Sequence, residues 1–287
     1  DTLTTSAGDV YMLGEVFCEV VETGVSGVNR VAGDTRIYAD YTNAGATIIQ
    51  EGILYIYGDL VNTGTLSGEY NNGFTGGGVP EPGDGFNIGG SYTIGQDATL
   101  SMPNPVWWLR VAGDLDIAID DPANFTMSEA TIALNGAKQG LETLSVDLGA
   151  VEAGFDPSNF PIGTLRIGSD STTQLVNNHV NSVEAACEVL YVNELFVAPG
   201  GSLLTNGCTI YAHSAQIEGT VDDPDSIVIV EGTPPCPADL TGDGEVNGAD
   251  LGLMIAFWGT PGGDLTDDDT TDGADLGLLI ASWGSCR

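Results

Sequence analysis

Leu54-Tyr55-Ile56-Tyr57-Gly58-Asp59-Leu60 alternates apolar and outward-type residues, breaks at a Gly-Asp corner and turns apolar again. The same phrase returns as Phe86-Asn87-Ile88-Gly89-Gly90-Ser91-Tyr92-Thr93-Ile94, as Leu109-Arg110-Val111-Ala112-Gly113-Asp114-Leu115-Asp116-Ile117 and as Leu190-Tyr191-Val192-Asn193-Glu194-Leu195-Phe196-Val197. Alternation sends successive side chains to opposite faces of a strand, and Gly, Asn and Asp tolerate the backbone angles of a tight corner. Short strands reset every 20 to 30 residues, with 41 glycines for the corners, predict a mainly β chain folded as a parallel β-solenoid, in which each inward side chain stacks on the turn below. A β-sandwich is the rival, since it also reads as short strands and turns, but it does not require the phrases to resemble one another.

Outward from those phrases the pattern continues. Val10 to Phe17 alternates and reads as a strand at an edge, and Arg36 to Ile48 as two short strands. Phe196 to Leu204, Thr209 to Ala212 and Ala215 to Val221 resemble the rungs of secreted bacterial β-helix repeats. Two insertions interrupt the rungs, Asn71 to Gly85 and Asp120 to Pro161, the second with a short helix expected near Lys138 to Leu144.

From Cys236 onward the pattern changes. Asp239 to Asp250 and Asp264 to Asp275 are two copies, 25 residues apart, of a twelve-residue acidic loop, each running into a Leu, Ile and Trp segment with helical spacing that stops at Gly259 or Gly284. A hard cation such as Ca²⁺ takes oxygens from loop positions 1, 3, 5, 7, 9 and 12. Those positions are Asp239, Thr241, Asp243, Glu245, Asn247 and Asp250 in the first copy. In the second they are Asp264, Thr266, Asp268, Thr270, Asp272 and Asp275. Position 6 favours glycine and carries Gly244 in the first loop but Asp269 in the second, which predicts a looser second site.

This pair of half EF-hands, bracketed by two cysteines, resembles the type I dockerin module. The resemblance implies two bound calcium ions and a small α-helical module used for attachment. In that family the cohesin contacts centre on loop positions 10 and 11 and on basic helix residues. Here the loop positions are Gly248-Ala249 and Gly273-Ala274, and neither helix carries Lys or Arg, so the calcium role carries over and the cohesin partner does not. The expected organisation is a solenoid body over 1–230, a Pro-containing linker over 231–235 and the dockerin-like module over 236–287.

One lysine and five arginines stand against 41 acids, a formal charge of −35 that argues against nucleic acid or an anionic membrane surface as partner. No apolar run is long enough to span a membrane. Five cysteines without zinc-type spacing point to an oxidising compartment, and the chain reads as a secreted, mature protein. A disulfide between Cys236 and Cys286 is the economical pairing, Cys187 and Cys208 are spaced to staple adjacent turns, and Cys18 is left over, either buried or available for an intermolecular bond.

No catalytic constellation is visible. The basic residues Arg30, Arg36, Lys138, Arg110 and Arg166 are scattered, Asp120-Asp121 and Asp222-Asp223 read as turns before proline, and His179 and His213 have no nucleophile beside them. Trp107-Trp108 is expected to split between core and surface. The expected function is that of a calcium-binding structural or adhesive protein, attaching to a protein partner or assembling with itself into a filament. The alternative is a carbohydrate-active β-helix enzyme, acting on a polysaccharide and anchored by its dockerin.

Overall fold

Every inward position of the repeated phrase has an equivalent one strand away, and that equivalence is the architecture. In the computed structural model, Val21 pairs with Tyr41, Tyr41 with Leu60, Leu60 with Tyr92, Tyr92 with Leu115 and Leu115 with Leu141. A second ladder runs through Leu66, Leu100 and Phe125, then from Met127 through Ile162 and Val192 to Ala212. A third runs Ile37, Ile56, Ile88, Val111, Leu134, Ile167 and Val197. The structure describes residues 2–16, 20–69, 82–182, 188–230, 238, 240–241, 245–263, 265 and 270–285. Two compact units result, Asp1–Val230 and Glu231–Arg287.

The first unit is mainly β, with 21 strands in a single parallel sheet among the described residues. Parallel pairing excludes the antiparallel β-sandwich. The ladder residues just named are all buried, so the apolar positions of each strand form one continuous core. Thr2–Val16 pairs along its length with Val20–Ile37 and with no other described strand, the edge position its alternation predicts.

Corners carry a second, polar ladder. Asp40 accepts from the Asp59 backbone N–H at 2.9 Å, Asp59 from that of Ser91 at 2.7 Å, and Asp114 from that of Gly140 at 2.6 Å. A carboxylate receiving a backbone N–H from the adjacent strand satisfies a donor the sheet leaves over, and these corner aspartates account for part of the acidity. The same packing demands glycine for space. A Cβ on Gly90 would stand 2.2 Å from Asp59 Oδ1 and 2.8 Å from Gly58 O. Gly90→Ala is therefore expected to cost about 1–3 kcal/mol in the urea midpoint of this unit, the usual range for overpacking; a change within about 0.3 kcal/mol would mean the corner has slack.

Several expectations need correction. Lys138 to Leu144 holds no helix: Gln139–Glu142 is a strand, because Gln139 and Leu141 alternate inward and pair with Thr173 and Leu175. The insertion read over Asp120 to Pro161 likewise contains the ladder strand Phe125–Leu134, leaving only short 3-10 turns at Pro122–Asn124, Glu152–Phe155 and Pro157–Asn159. Asp121 and Asp223 each cap a proline-led 3-10 turn, as their turn reading expects. Trp107 is buried, whereas Trp108 is half-exposed beneath the Arg110 guanidinium at 4.6 Å. Cys208 is buried and disulfide-bonded. Cys18, Cys187, Cys236, Cys286 and the 231–235 linker lie outside the described residues, as does most of the Asn71 to Gly85 insertion.

Among its described residues the second unit holds two nine-residue helices, Gly248–Ala256 and Gly273–Ala281, around a small core of Ala238, Val246, Met254 and Leu279. The helices end at Ala256 and Ala281; Gly259 and Gly284, at positive φ, lie past the ends and serve the pairing instead. Val246 pairs with Gly284, and Gly259 donates to Thr271 O at 2.9 Å. Val246 and Thr271 both occupy loop position 8, so each loop is tied to the residue that follows the opposite helix.

Candidate functional sites

The calcium-type loops close on their last residue. Asp250 is fully buried, its Oδ1 accepting from Thr241 N and Oγ1, both at 2.9 Å, and its Oδ2 from Asn247 N at 2.8 Å. Asp275, equally buried, accepts from Leu265 N at 2.8 Å and Asp272 N at 2.7 Å. Asn247 and Asp272 in turn accept from Ala249 and Ala274, completing a capping box at each helix start. Position 12 of both loops thus folds back over the loop start, sharing the position-9 N–H bond but meeting Thr241 at position 3 in the first loop and Leu265 at position 2 in the second. Thr270 is described and exposed, and Glu245 lies in the short strand Glu245–Val246. Asp239, Asp243, Asp264, Thr266 and Asp268 lie outside the described residues, together with Gly244 and Asp269.

Burial of Asp250 works to raise its pKa, but the hydrogen bonds from Asn247 and Thr241 outweigh it and hold the carboxyl below its ordinary value. A depressed folded pKa means the native state binds fewer protons than the unfolded chain, so this contribution is full above the ordinary aspartate range and lost as pH falls through it. The helical circular dichroism of this unit is expected to decay below about pH 4, with a shallower acid limb in Asp250→Asn. Equal slopes in both proteins would refute the assignment.

A second site, not visible in the sequence, lies on the parallel sheet. Leu115 pairs with Leu141, so the residues that follow them, Asp116 and Glu142, stand on adjacent strands. The segment after Thr172–Val176 folds back over them. There Asn178 and His179 donate backbone N–H groups to Glu142 Oε1 at 2.5 and 2.8 Å, and Asn181 Nδ2 donates to Ile117 O and Ile119 O at 2.7 and 2.8 Å. This brings His179 Nε2 to 2.8 Å from Asp116 Oδ1. One ligand-type atom from each of Asp116, Glu142 and His179 lies within 4.8 Å of the others. Burial raises the pKa of Glu142 against the lowering effect of its two backbone donors.

Asp116 and His179 border a groove of roughly 790 Å³ that Lys138, the sole lysine, also lines with Gln139 and Gln174, while Glu142 lies buried behind them. The sequence reading looked for a nucleophile beside His179; the structure places the carboxylates of Asp116 and Glu142 there. His213 has a different setting: it stacks on Phe155 at 3.7 Å and reaches Glu152 and Asn193. The scattered arginines are also partly gathered. Arg36, Arg110 and Arg166 share one outward column of the third ladder, stacked on Tyr55, Trp108 and Phe196.

No protein-family model, curated protein or solved structure matches the chain. Among the described residues, no helix is long and apolar enough to cross a membrane.

Proposed function

We propose that this is a secreted structural or adhesive protein, a parallel β-solenoid body carrying a dockerin-like module that binds two calcium ions and attaches to a protein partner or to a second copy. The observation that carries the reading is the pair of buried position-12 carboxylates, Asp250 and Asp275, each turned onto the start of its own acidic loop. A buried carboxylate is costly without a compensating cation or a full set of donors. Asp239, Thr241, Asp243, Glu245 and Asn247, with Asp264, Thr266, Asp268, Thr270 and Asp272, complete the two ligand sets.

Attachment is supported by a repeated apolar surface. Ile255 and Trp258 of the first helix segment are 59% and 50% exposed, and their counterparts Ile280 and Trp283 are 58% and 52% exposed. Apolar side chains held at equivalent exposed places in both repeats suit a protein contact. Calorimetric titration with calcium, and melting in millimolar calcium against chelator, test the module; light scattering on the same samples separates self-assembly from attachment to another protein. The groove beside Asp116, Glu142 and His179 favours one second reading, a carbohydrate-active body anchored by the module, which a screen for turnover of neutral and acidic polysaccharides tests.

A further inference from the structure

We infer that Asp116, Glu142 and His179 form a site for one first-row divalent cation of the zinc or cobalt class, open to the groove lined by Lys138. The inference does not rest on the calcium reading of the other unit.

The carboxylate of Glu142 is the reason to look for a ligand here. Its side chain is fully buried, and while Oε1 takes both backbone N–H groups, Oε2 has no hydrogen-bond partner. An unsatisfied buried oxygen on an acid is expensive, and a cation is the group that resolves it. Asp116 and His179 supply the rest of a shell. Metal–ligand distances near 2.0–2.1 Å put neighbouring ligand atoms roughly 3 to 3.4 Å apart, so the 2.8 Å between His179 Nε2 and Asp116 Oδ1 needs to open only slightly.

Charge and ligand type narrow the ion. Two carboxylates balance a dication, and a neutral imidazole donor suits zinc, cobalt or iron rather than calcium or magnesium, which prefer oxygen alone. Preorganisation is already present. The backbone N–H groups of Asn178 and His179 orient Glu142, and Asn181 fastens the segment to Ile117 and Ile119, the kind of outer contact that fixes metal ligands. Asp116 and His179 are about one-third exposed, so the side of the cluster toward the groove is free for water or for an oxygen of a bound molecule. Three protein ligands with an open position is the arrangement of a reactive rather than a purely structural zinc site. Lys138 on the same groove would favour a co-ligand that carries negative charge.

The test uses the full chain in millimolar calcium, which occupies the acidic loops, titrated with cobalt and with zinc. Expected is one equivalent of Co²⁺ giving visible d–d absorption, displaced by one equivalent of Zn²⁺ and not by calcium. His179→Ala and Asp116→Asn should each weaken binding by about a hundredfold, Glu142→Gln should do the same while keeping an acceptor for the two backbone donors, and His213→Ala should leave binding unchanged. Both Asp116 and His179 are partly exposed, so those variants report even where Glu142→Gln does not fold. No saturable cobalt signal, or an affinity the same in wild type, His179→Ala and Asp116→Asn, would overturn the site.

Discussion

In chelator, the second unit is expected to lose its helical circular dichroism and the tight packing of Met254 and Leu279, while the parallel sheet of residues 1–230 keeps its strand signal. Among the described residues, four fully buried apolar side chains, Ala238, Val246, Met254 and Leu279, with Leu240, Leu251, Leu265 and Leu276 partly buried against them, make a core too small to hold two helices against chain entropy. The loops add repulsion: the twelve-residue stretch of the first carries Asp239, Asp243, Glu245 and Asp250, and that of the second Asp264, Asp267, Asp268, Asp269, Asp272 and Asp275. An ion bound only by the folded form contributes RT ln(1 + [L]/Kd), about 4 kcal/mol at a thousandfold excess over Kd, comparable to the whole stability of so small a unit. Two separate thermal transitions are therefore expected in calcium, with the module's transition moving below room temperature in chelator. Identical melting in both conditions would remove calcium from the account, and loss of the strand signal along with the helices would contradict independent folding of the two units.

Asp250→Ala sharpens the same argument. It removes the acceptor for Thr241 and Asn247 as well as the twelfth loop position, so unlike simple chelation its effect should persist at saturating calcium. Each hydrogen bond to a charged group contributes about 1.5–3 kcal/mol.

What the sequence made legible follows from range. Leu54 to Leu60 and its echoes reveal strand and corner because alternation and glycine placement act over a few residues, and the parallel ladders follow once the phrases are seen to repeat. The capping boxes at Asn247 and Asp272 were within reach for the same reason. Gln139–Glu142 was not, since its strand character depends on Thr173 and Leu175, some 34 residues on, overriding a local helical preference. The cluster of Asp116, Glu142 and His179 is harder still. Its members share no motif; they meet because parallel register sets Leu115 against Leu141, and because the segment after Val176 turns back instead of forward. The one available hint was scarcity: a sole lysine and one of only two histidines border the same groove.

The largest single cost in the body is expected at a buried polar position, not an apolar one. Asn43 and Asn62 are fully buried where the first ladder turns toward the second. Asn43 Nδ2 donates to Asn62 Oδ1 at 2.7 Å and to Thr65 O at 2.9 Å, while Asn62 Nδ2 reaches Thr99 O at 3.3 Å and its Oδ1 also accepts from Gly64 N at 3.2 Å. Each amide thus joins its own corner to the strand that follows the next one, through the carbonyls of Thr65 and Thr99 at the strand starts. Asn62→Leu keeps the heavy-atom count and branching of the side chain, so no cavity opens and the effect falls mainly on the hydrogen bonds. It takes one of two acceptors from the Asn43 amide, which keeps Thr65 O, and leaves the Thr99 carbonyl and part of the Gly64 donor without their side-chain partner in a site closed to water. At about 1–3 kcal/mol for each group left unsatisfied, the loss should reach about 3–5 kcal/mol in the denaturation midpoint of the body. Asn43→Leu should cost less, because Asn62 keeps Thr99 and Gly64, and the double variant should cost less than the sum, since the shared bond is lost only once. An additive double variant, or a loss under about 1 kcal/mol for Asn62→Leu, would mean that water reaches this corner and that the asparagines do not carry the stack from one rung to the next.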